Sequence, residues 1–305
     1  MHIILLLLLS ATSIQAERGC PDVWRTISKD LTTSFVSGGE CTDLARGAIR
    51  YAFHDAGTFS RKLPIVPPAS GGADGSLLLN GEEISRPEHR GLEEFHGFIT
   101  GKYTQYKSQG VGAADLIQFA GNHAVVSCPG GPVVRTLIGR TDSSRAAPVG
   151  LLPAGGGPGS DHNTIFQLFM DKGFSAVDLA ALIGAHTTAK AHAQPQIPAG
   201  TPQDSTPGKW DVRYYSETYN PPPGVRSFPS DINLSNPNTT VGMEFKKFVN
   251  NQERWNERFA SAMFRLGMLG IPDDGFRNFT DCTDALPRSS NRREMMGAPI
   301  NFRFR

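Results

Sequence analysis

No apolar run in this chain is long enough to cross a bilayer. The segment Ile3 to Leu9 falls far short of the roughly 20 residues a membrane helix needs, and no later stretch comes closer. Charge of one sign is also missing. Thirty Lys and Arg stand against 29 Asp and Glu, so nothing in the net charge calls for nucleic acid or an anionic membrane as partner. Cysteine is scarce, and the four present (Cys20, Cys41, Cys128 and Cys282) include no CxxC and no Cys/His cluster, which argues against a structural zinc site. Strand-like alternation is rare, and there is no internal repeat, heptad run or low-complexity tract.

What is present begins with a leader. Met-His-Ile-Ile and five leucines are followed by small and polar residues up to Ala16, the pattern of a secretory signal peptide over residues 1–16. A secreted, extracellular chain is expected, and in that oxidising compartment an even cysteine count favours two disulfides. Four cysteines allow three pairings. Asn233-Leu-Ser, Asn238-Thr-Thr and Asn278-Phe-Thr are N-glycosylation sequons suited to the same compartment.

Apolar residues recur at spacings of three and four in Val23–Phe35, Leu44–Phe53, Leu92–Tyr106, Ala113–Ser127, Asn163–Lys172, Ala176–Ile183 and Met243–Leu269, which predicts one-faced helices. The last is the longest. Ser175 with Asp178 three positions on is a variant capping box. Gly- and Pro-rich connections lie between, at Leu63–Gly75, Ala147–Gly159 and Gln194–Pro229. Loops of such length usually hold something. The expectation is a mainly α protein whose loops need internal anchors.

Three constellations carry chemistry. In Arg50-Tyr-Ala-Phe53-His54-Asp55, residues four apart share a helix face, so Arg50 and His54 can enter one cavity. Splitting peroxide needs such a pair: a neutral imidazole moves a proton between the two oxygens while a fixed charge stabilises the departing hydroxide. In Gly184-Ala185-His186-Thr187 a histidine follows a buried run, and Ser230-Asp231 offers a carboxylate for its second ring nitrogen, the partner a haem-ligating histidine commonly has. Sequence alone does not bring Asp231 to His186. Finally, Gly72-Ala-Asp74-Gly-Ser76 and Asp204-Ser-Thr206-Pro-Gly-Lys209-Trp-Asp211 carry oxygen donors at alternate positions mixed with glycine. That composition suits calcium, although each segment alone also reads as a polar turn.

These motifs, in this order, resemble the fungal secreted (class II-like) branch of the plant-type haem peroxidase superfamily across nearly the whole mature sequence. The resemblance rests on Arg50–Gly57 (RxxFHDAG), Gly71–Ser76 (GGADGS), Gly184–Thr187 (GAHT), Asp204–Asp211 (DSTPGxWD) and Ser230-Asp231. It implies a single domain over 17–305, with a distal lobe over about 17–150 and a proximal lobe over about 151–275 enclosing one haem b. His54 would be the distal acid/base, Arg50 the stabiliser of developing charge and Phe53 an apolar wall. His186 would be the iron ligand, supported by Asp231. Two calcium ions are implied: a distal one on Asp55, the Gly72 carbonyl, Asp74 and Ser76, and a proximal one on Thr187, Asp204, Thr206, the Lys209 carbonyl and Asp211. The cysteines resemble a reduced version of the family's set, implying Cys20–Cys282 and Cys41–Cys128. The implied partners are hydrogen peroxide and small phenolic or similar organic reductants, acting on a monomer without nucleic acid or membrane.

The chain departs from this family in ways that bear on substrate. The usual distal Asn, which accepts a hydrogen bond from the distal histidine, is replaced by His89, with Glu88 as an alternative partner. Where manganese-oxidising relatives gather three carboxylates, this chain has Asp43, Gly47 and His192. The surface tryptophan of lignin-attacking relatives is matched by Ala181, and the radical-site tryptophan of cytochrome c peroxidase by Gln203. Oxidation at the haem edge remains, past Leu152-Pro153-Ala154. The rival reading is a non-catalytic secreted haem-binding or interaction protein on the same scaffold, which would not need Arg50, His54, His186 and Asp231 together. A calcium-binding adhesion module without haem would leave both histidines unexplained.

Overall fold

The computed structural model describes residues 19–63, 71–157, 159–192, 194, 196–272, 275 and 279–290. The expected leader and Asn278 of the third sequon lie outside them. The fold is mainly α. In chain order the helices are α1 (Asp22–Phe35), α2 (Asp43–Ala56), α3 (Ser76–Leu79), α4 (Gly81–Ile84), α5 (Glu93–Tyr106) and α6 (Ala113–Ser127). There follow α7 (His162–Lys172), α8 (Ala176–Ile183), α9 (Arg213–Tyr219), α10 (Pro229–Ser235), α11 (Thr240–Lys246) and α12 (Gln252–Leu266). Among the described residues, strands are confined to two-residue pairs: β1 (Val36–Ser37) with β2 (Glu40–Cys41), and β3 (Leu137–Ile138) with β4 (Thr280–Asp281), both antiparallel.

The first helical group is built around α6, whose residues 113–126 are all buried. A helix apolar on every side must lie inside a core. It meets α2 along a small-residue stripe of Ala45, Ala48, Ala52 and Ala56, all fully buried. Gly121 faces this stripe, and a Cβ there would sit 2.5 Å from that of Ala52. Two backbones that close hold α2, which carries both Arg50 and His54, at a fixed distance from α6.

The second group is organised by α8, against which α11 and α12 pack. Trp255 Nε1 donates to the Ala181 carbonyl at 3.0 Å and Tyr215 Oη to that of Ala180 at 2.9 Å. Trp210 stacks on Trp255 with ring centroids 4.9 Å apart. These bonds add side-chain donors to carbonyls in the last turn of a short helix. Gly184 follows that end because a side chain there would collide with the Tyr215 hydroxyl and the Trp255 indole.

The Met243–Leu269 helix of the sequence reading is corrected. It is two helices, separated at 247–251. Asn250 adopts a left-handed φ of 57°, and Asn251 caps α12 by accepting from Arg254 N at 3.2 Å. Asparagine tolerates the left-handed region and competes with helical bonding. The apolar period survives across the break because both pieces bury a face, Val241 and Phe245 in one and Trp255, Phe259, Ala262 and Met263 in the other. Another helix, α9, stands inside the 194–229 connection. Cys20 is bonded to Cys282 and Cys41 to Cys128, with Cα atoms 4.9 and 4.8 Å apart. Among the described residues, no helix is long and apolar enough to cross a membrane.

Candidate active site

The Thr42 hydroxyl opens α2 by accepting from Ala45 N at 3.3 Å. One turn further, Arg50 and His54 point the same way. Arg50 Nε donates to His54 Nε2 at 3.2 Å, while its terminal nitrogens donate to the carbonyls of Arg90 (2.8 Å) and Glu88 (3.2 Å). Burial pulls the guanidinium pKa down to about 10, with Glu93 opposing, so it stays cationic at neutral pH. Glu88 thus contributes its backbone to Arg50. The partner of His54 is His89, with the two Nδ1 atoms 3.0 Å apart.

These contacts fix the protons. His54 Nε2 accepts from Arg50, so the ring's own proton is on Nδ1, and His89 Nδ1 accepts it. Burial, with the charges of Arg50 and His89 adding, holds the His54 pKa well below the ordinary histidine value. Burial likewise lowers His89 to about 4, Arg86 and Arg50 assisting and Glu88 opposing. Both rings are neutral at physiological pH, which leaves a basic Nε2 on His54 beside a positive charge. Phe53 lies edge-on to His54 at 5.8 Å and stacks on Phe169 at 6.1 Å. Leu152 leans on Gly57 beside the Phe53 ring, and Pro153 is half-buried next to it.

In the second helical group, His186 sits in the 3₁₀ turn 184–188 after α8. Its Nδ1 lies 3.0 Å from Oδ1 of Asp231, a fully buried residue whose other oxygen accepts from Phe228 N at 3.0 Å. The two roles pin the carboxylate. His186 Nε2 remains for a ligand, and the side chain keeps 32% of its exposure despite buried neighbours. Phe228 and Tyr214 flank the ring edge-on at 5.8 and 5.9 Å. An imidazole oriented by a buried carboxylate, with its other nitrogen open, has the chemistry that would hold a haem iron.

The two oxygen-rich loops lie directly behind these histidines. Asp55 is fully buried and accepts from Gly75 N (3.3 Å) and Leu77 N (3.4 Å). Burial and the Asp74 charge raise its pKa well above the carboxylate range, and burial raises Asp74 as well. Among the described residues, Asp74 Oδ2 and Ser76 Oγ are buried without a hydrogen-bond partner, and the Gly72 carbonyl turns into the same loop by accepting from Asp74 N at 2.9 Å. Unpaired buried oxygens beside a crowded carboxylate pair suit a cation. In the second loop Thr187 donates to Asp204, Thr206 Oγ1 donates to Asp211 at 2.8 Å, and Lys209 N closes the turn on the Thr206 carbonyl at 2.9 Å. Burial, with Asp211 and Glu217 adding, raises Asp204 to about 7. No cluster of three or more His, Cys, Asp or Glu that could hold a metal ion occurs among the described residues, so a cation in either loop would need hydroxyl and carbonyl donors as well.

The three positions considered for manganese form no carboxylate cluster. Asp43 is already paired with Arg46 (2.6 Å) and Lys190 (3.1 Å). A Cβ at Gly47 would lie 2.8 Å from that of Phe95, and His192 packs against Gly91. Ala181 is fully buried beneath Trp255, and Gln203 is fully buried with neither amide atom hydrogen-bonded among the described residues. Sequence reasoning missed Tyr214 and Phe228 beside His186. The adjacent aromatics Tyr214 and Tyr215 follow no helical spacing, and Phe228 is marked only by its place three residues before Asp231. It also missed Lys172, whose buried ammonium donates to the Leu151 carbonyl at 2.8 Å and so holds the segment leading to Leu152 and Pro153.

A family model described as peroxidase matches residues 27–251. The chain is 31% identical over 284 residues to a peroxidase of Arthromyces ramosus, covering 87% of this chain and 75% of that protein. A peroxidase of Coprinopsis cinerea is 31% identical over 284 residues, at 87% and 76% coverage. The versatile peroxidase VPS1 of Pleurotus eryngii is 31% identical over 281 residues, at 86% and 73%.

Proposed function

The chain belongs to the peroxidase family and is a haem peroxidase, and from that premise we propose that it is a secreted enzyme oxidising small phenolic or similar organic reductants, one electron at a time, at the expense of hydrogen peroxide. The observation that carries this reading is the basic Nε2 of His54 held beside the Arg50 guanidinium. Haem b, when bound, supplies the iron at which the O–O bond breaks and the two oxidising equivalents are kept.

The protein's own groups do the rest. His54 Nε2 takes the proton of the inner peroxide oxygen and returns it to the outer one, so that water leaves. Arg50 stabilises the charge on that leaving oxygen, anchored by two backbone carbonyls so that little reorganisation is needed. His186 would hold the iron through Nε2, and Asp231, accepting the Nδ1 hydrogen, would make the imidazole a stronger donor. One calcium ion is assigned to Asp55, Gly72, Asp74 and Ser76, and one to Thr187, Asp204, Thr206, Lys209 and Asp211. Each set includes the residue next to a site histidine and so stiffens it.

Reductants approach the edge bounded by Phe53, Leu152 and Pro153. Asp43, already neutralised by two cations, makes manganese a poor substrate. The proposed organisation is a single domain over 17–305, its distal and proximal lobes meeting at about residue 150. Stopped-flow absorbance after mixing the haem-loaded protein with peroxide tests the reading. His54→Ala is expected to slow the first phase at least 10²-fold. A wild-type protein that binds haem but leaves peroxide untouched overturns it in favour of a non-catalytic haem-binding protein.

A further inference from the structure

Lys172 carries a charge that peroxide cleavage does not use, on a helix face that should be apolar. The buried residues of α7 are Ile165, Phe169 and Lys172, at the spacing of an apolar stripe, and Lys172 is 1% exposed. An apolar side chain would fill that position without the cost of burying an ammonium. Among the described residues it forms no ion pair, since its neighbour Asp171 is taken by Lys62 at 2.8 Å and by the Gln167 amide at 2.6 Å. The ammonium donates instead to two carbonyls, those of Leu151 at 2.8 Å and Leu168 at 3.3 Å.

The first of these carbonyls belongs to the rim of the reductant approach. Residues 148–154 pass through a turn at Gly150, whose φ is 77°, to Leu152, which leans on Gly57 beside the Phe53 ring. Among the described residues, the bond from Lys172 is the only hydrogen bond that ties this segment to the rest of the protein. The next ones fall outside it, at Ala147, which donates to Glu83 and accepts from Arg86, and at Gly155, which accepts from Ser230 N. The same helix carries Phe169, stacked on Phe53 at 6.1 Å. α7 therefore backs both walls of the approach, one with a ring and the other with a charge.

We propose that Lys172 is a positioning residue for the reductant: by holding the Leu151 carbonyl it fixes Leu152 and Pro153 at the spacing an aromatic donor needs, so that donor oxidation depends on it and peroxide cleavage does not. The proposal rests on the peroxidase reading above and on its approach past Phe53, Leu152 and Pro153. Burial lowers the pKa of Lys172 to about 8, with Asp171 opposing. The other charged groups around α7 are engaged elsewhere. Arg61 covers Gly173, Asp178 on α8 is bonded to Arg265, Asp231 on α10 to His186, and His54 on α2 to His89. As pH rises through about 8 the ammonium becomes an amine, whose hydrogen bond is about half as strong. The rim then loosens at a pH where phenols, which ionise near 10, are still neutral.

The experiment measures kcat/KM for peroxide and kcat/KM for phenol, from about pH 6 to about pH 9, on the haem-loaded, full-length protein. Wild type is compared with Lys172→Met, which keeps an unbranched side chain and removes its donor and charge. With two substrates used in turn, each value reports its own half of the cycle. Wild type is expected to lose about threefold or more of kcat/KM for phenol between about pH 7 and 9, with the value for peroxide steady. At pH 7 Lys172→Met should be lower for phenol by at least about fivefold and within about twofold of wild type for peroxide. Its phenol profile should be flat across pH 8. Equal losses on both substrates would leave Lys172 a structural support alone and overturn the proposal, as would a variant that follows the wild-type phenol profile. Should the variant fail to fold, a wild-type phenol profile without a step near pH 8 overturns it as well. Failure of wild type on peroxide sinks the peroxidase reading instead.

Discussion

The Nδ1 atoms of His54 and His89 lie 3.0 Å apart in a pocket that leaves His89 1% exposed. One ring must donate and the other accept, and the bond from Arg50 to His54 Nε2 decides which. His89 therefore carries its proton on Nε2, which is buried without a partner among the described residues. An unsatisfied donor of that kind costs about 1–3 kcal/mol, a cost set against fixing the tautomer of His54.

His89 is an acceptor only while neutral. Its pKa is lowered to about 4, so it holds the His54 proton above that pH and, as a cation, repels it below. The peroxide reaction is expected to lose rate as pH falls through about 4. His89→Asn, whose carbonyl is not protonated in this range, should lack that limb. His89→Leu, with no acceptor, should be slower at every pH by about tenfold or more. The measurement is the pH profile of the peroxide reaction for the three proteins, and superimposable profiles would remove His89 from the mechanism.

The buried His123 predicts how stability depends on acid. Its Nε2 lies 2.8 Å from the Ser28 carbonyl and 3.2 Å from Thr32 Oγ1, and burial lowers its pKa to about 4. The unfolded ring titrates near 6.5, so between those values the unfolded chain binds a proton that the folded chain does not. Stability is therefore complete above about pH 6.5 and declines as pH falls toward 4, by up to about 3 kcal/mol from this residue. Thermal unfolding of wild type and His123→Gln at pH 7 and 4.5 checks this. The variant should show the smaller loss between the two, and an equal loss would contradict the assignment.

Removing calcium is expected to act on the histidines through their neighbours. Asp55 and Thr187 directly follow His54 and His186, and without a cation the crowded Asp55–Asp74 pair can relax only by protonation or movement. Chelator should lower both the midpoint of thermal unfolding and peroxidase activity, and added calcium should restore them. Asp74→Ala should reproduce the loss and resist the rescue. Full activity and unchanged unfolding in excess chelator would show that the loops do not bind calcium.

Much of the fold was legible because burial imposes a period. Ala113–Ser127 and Ala176–Ile183 are bounded in the structure as their apolar spacing predicts, and α1, α2, α5 and α7 differ by at most three residues at an end. Periodicity failed where it was blind to backbone. It ran through Asn250 because the faces on both sides stay apolar, and it passed over α9 and α10, of seven residues each, too short to show a period. In the site, the spacing of Arg50 and His54 was readable as one helix face. The meeting of His54 with His89, 35 positions away, and of His186 with Asp231, 45 away, belongs to the folded chain. No local rule reaches that far, and only the order of the motifs pointed to it.

The bond between Cys20 and Cys282 spans 262 positions and turns almost the whole described chain into a covalent ring. A protease that nicks one of the connections between Cys128 and Cys282 opens this ring but frees no fragment, since both new ends remain tethered through the sulfurs. In a milieu rich in secreted proteases, the molecule can be cut once and still travel, fold and run on a non-reducing gel as a single species.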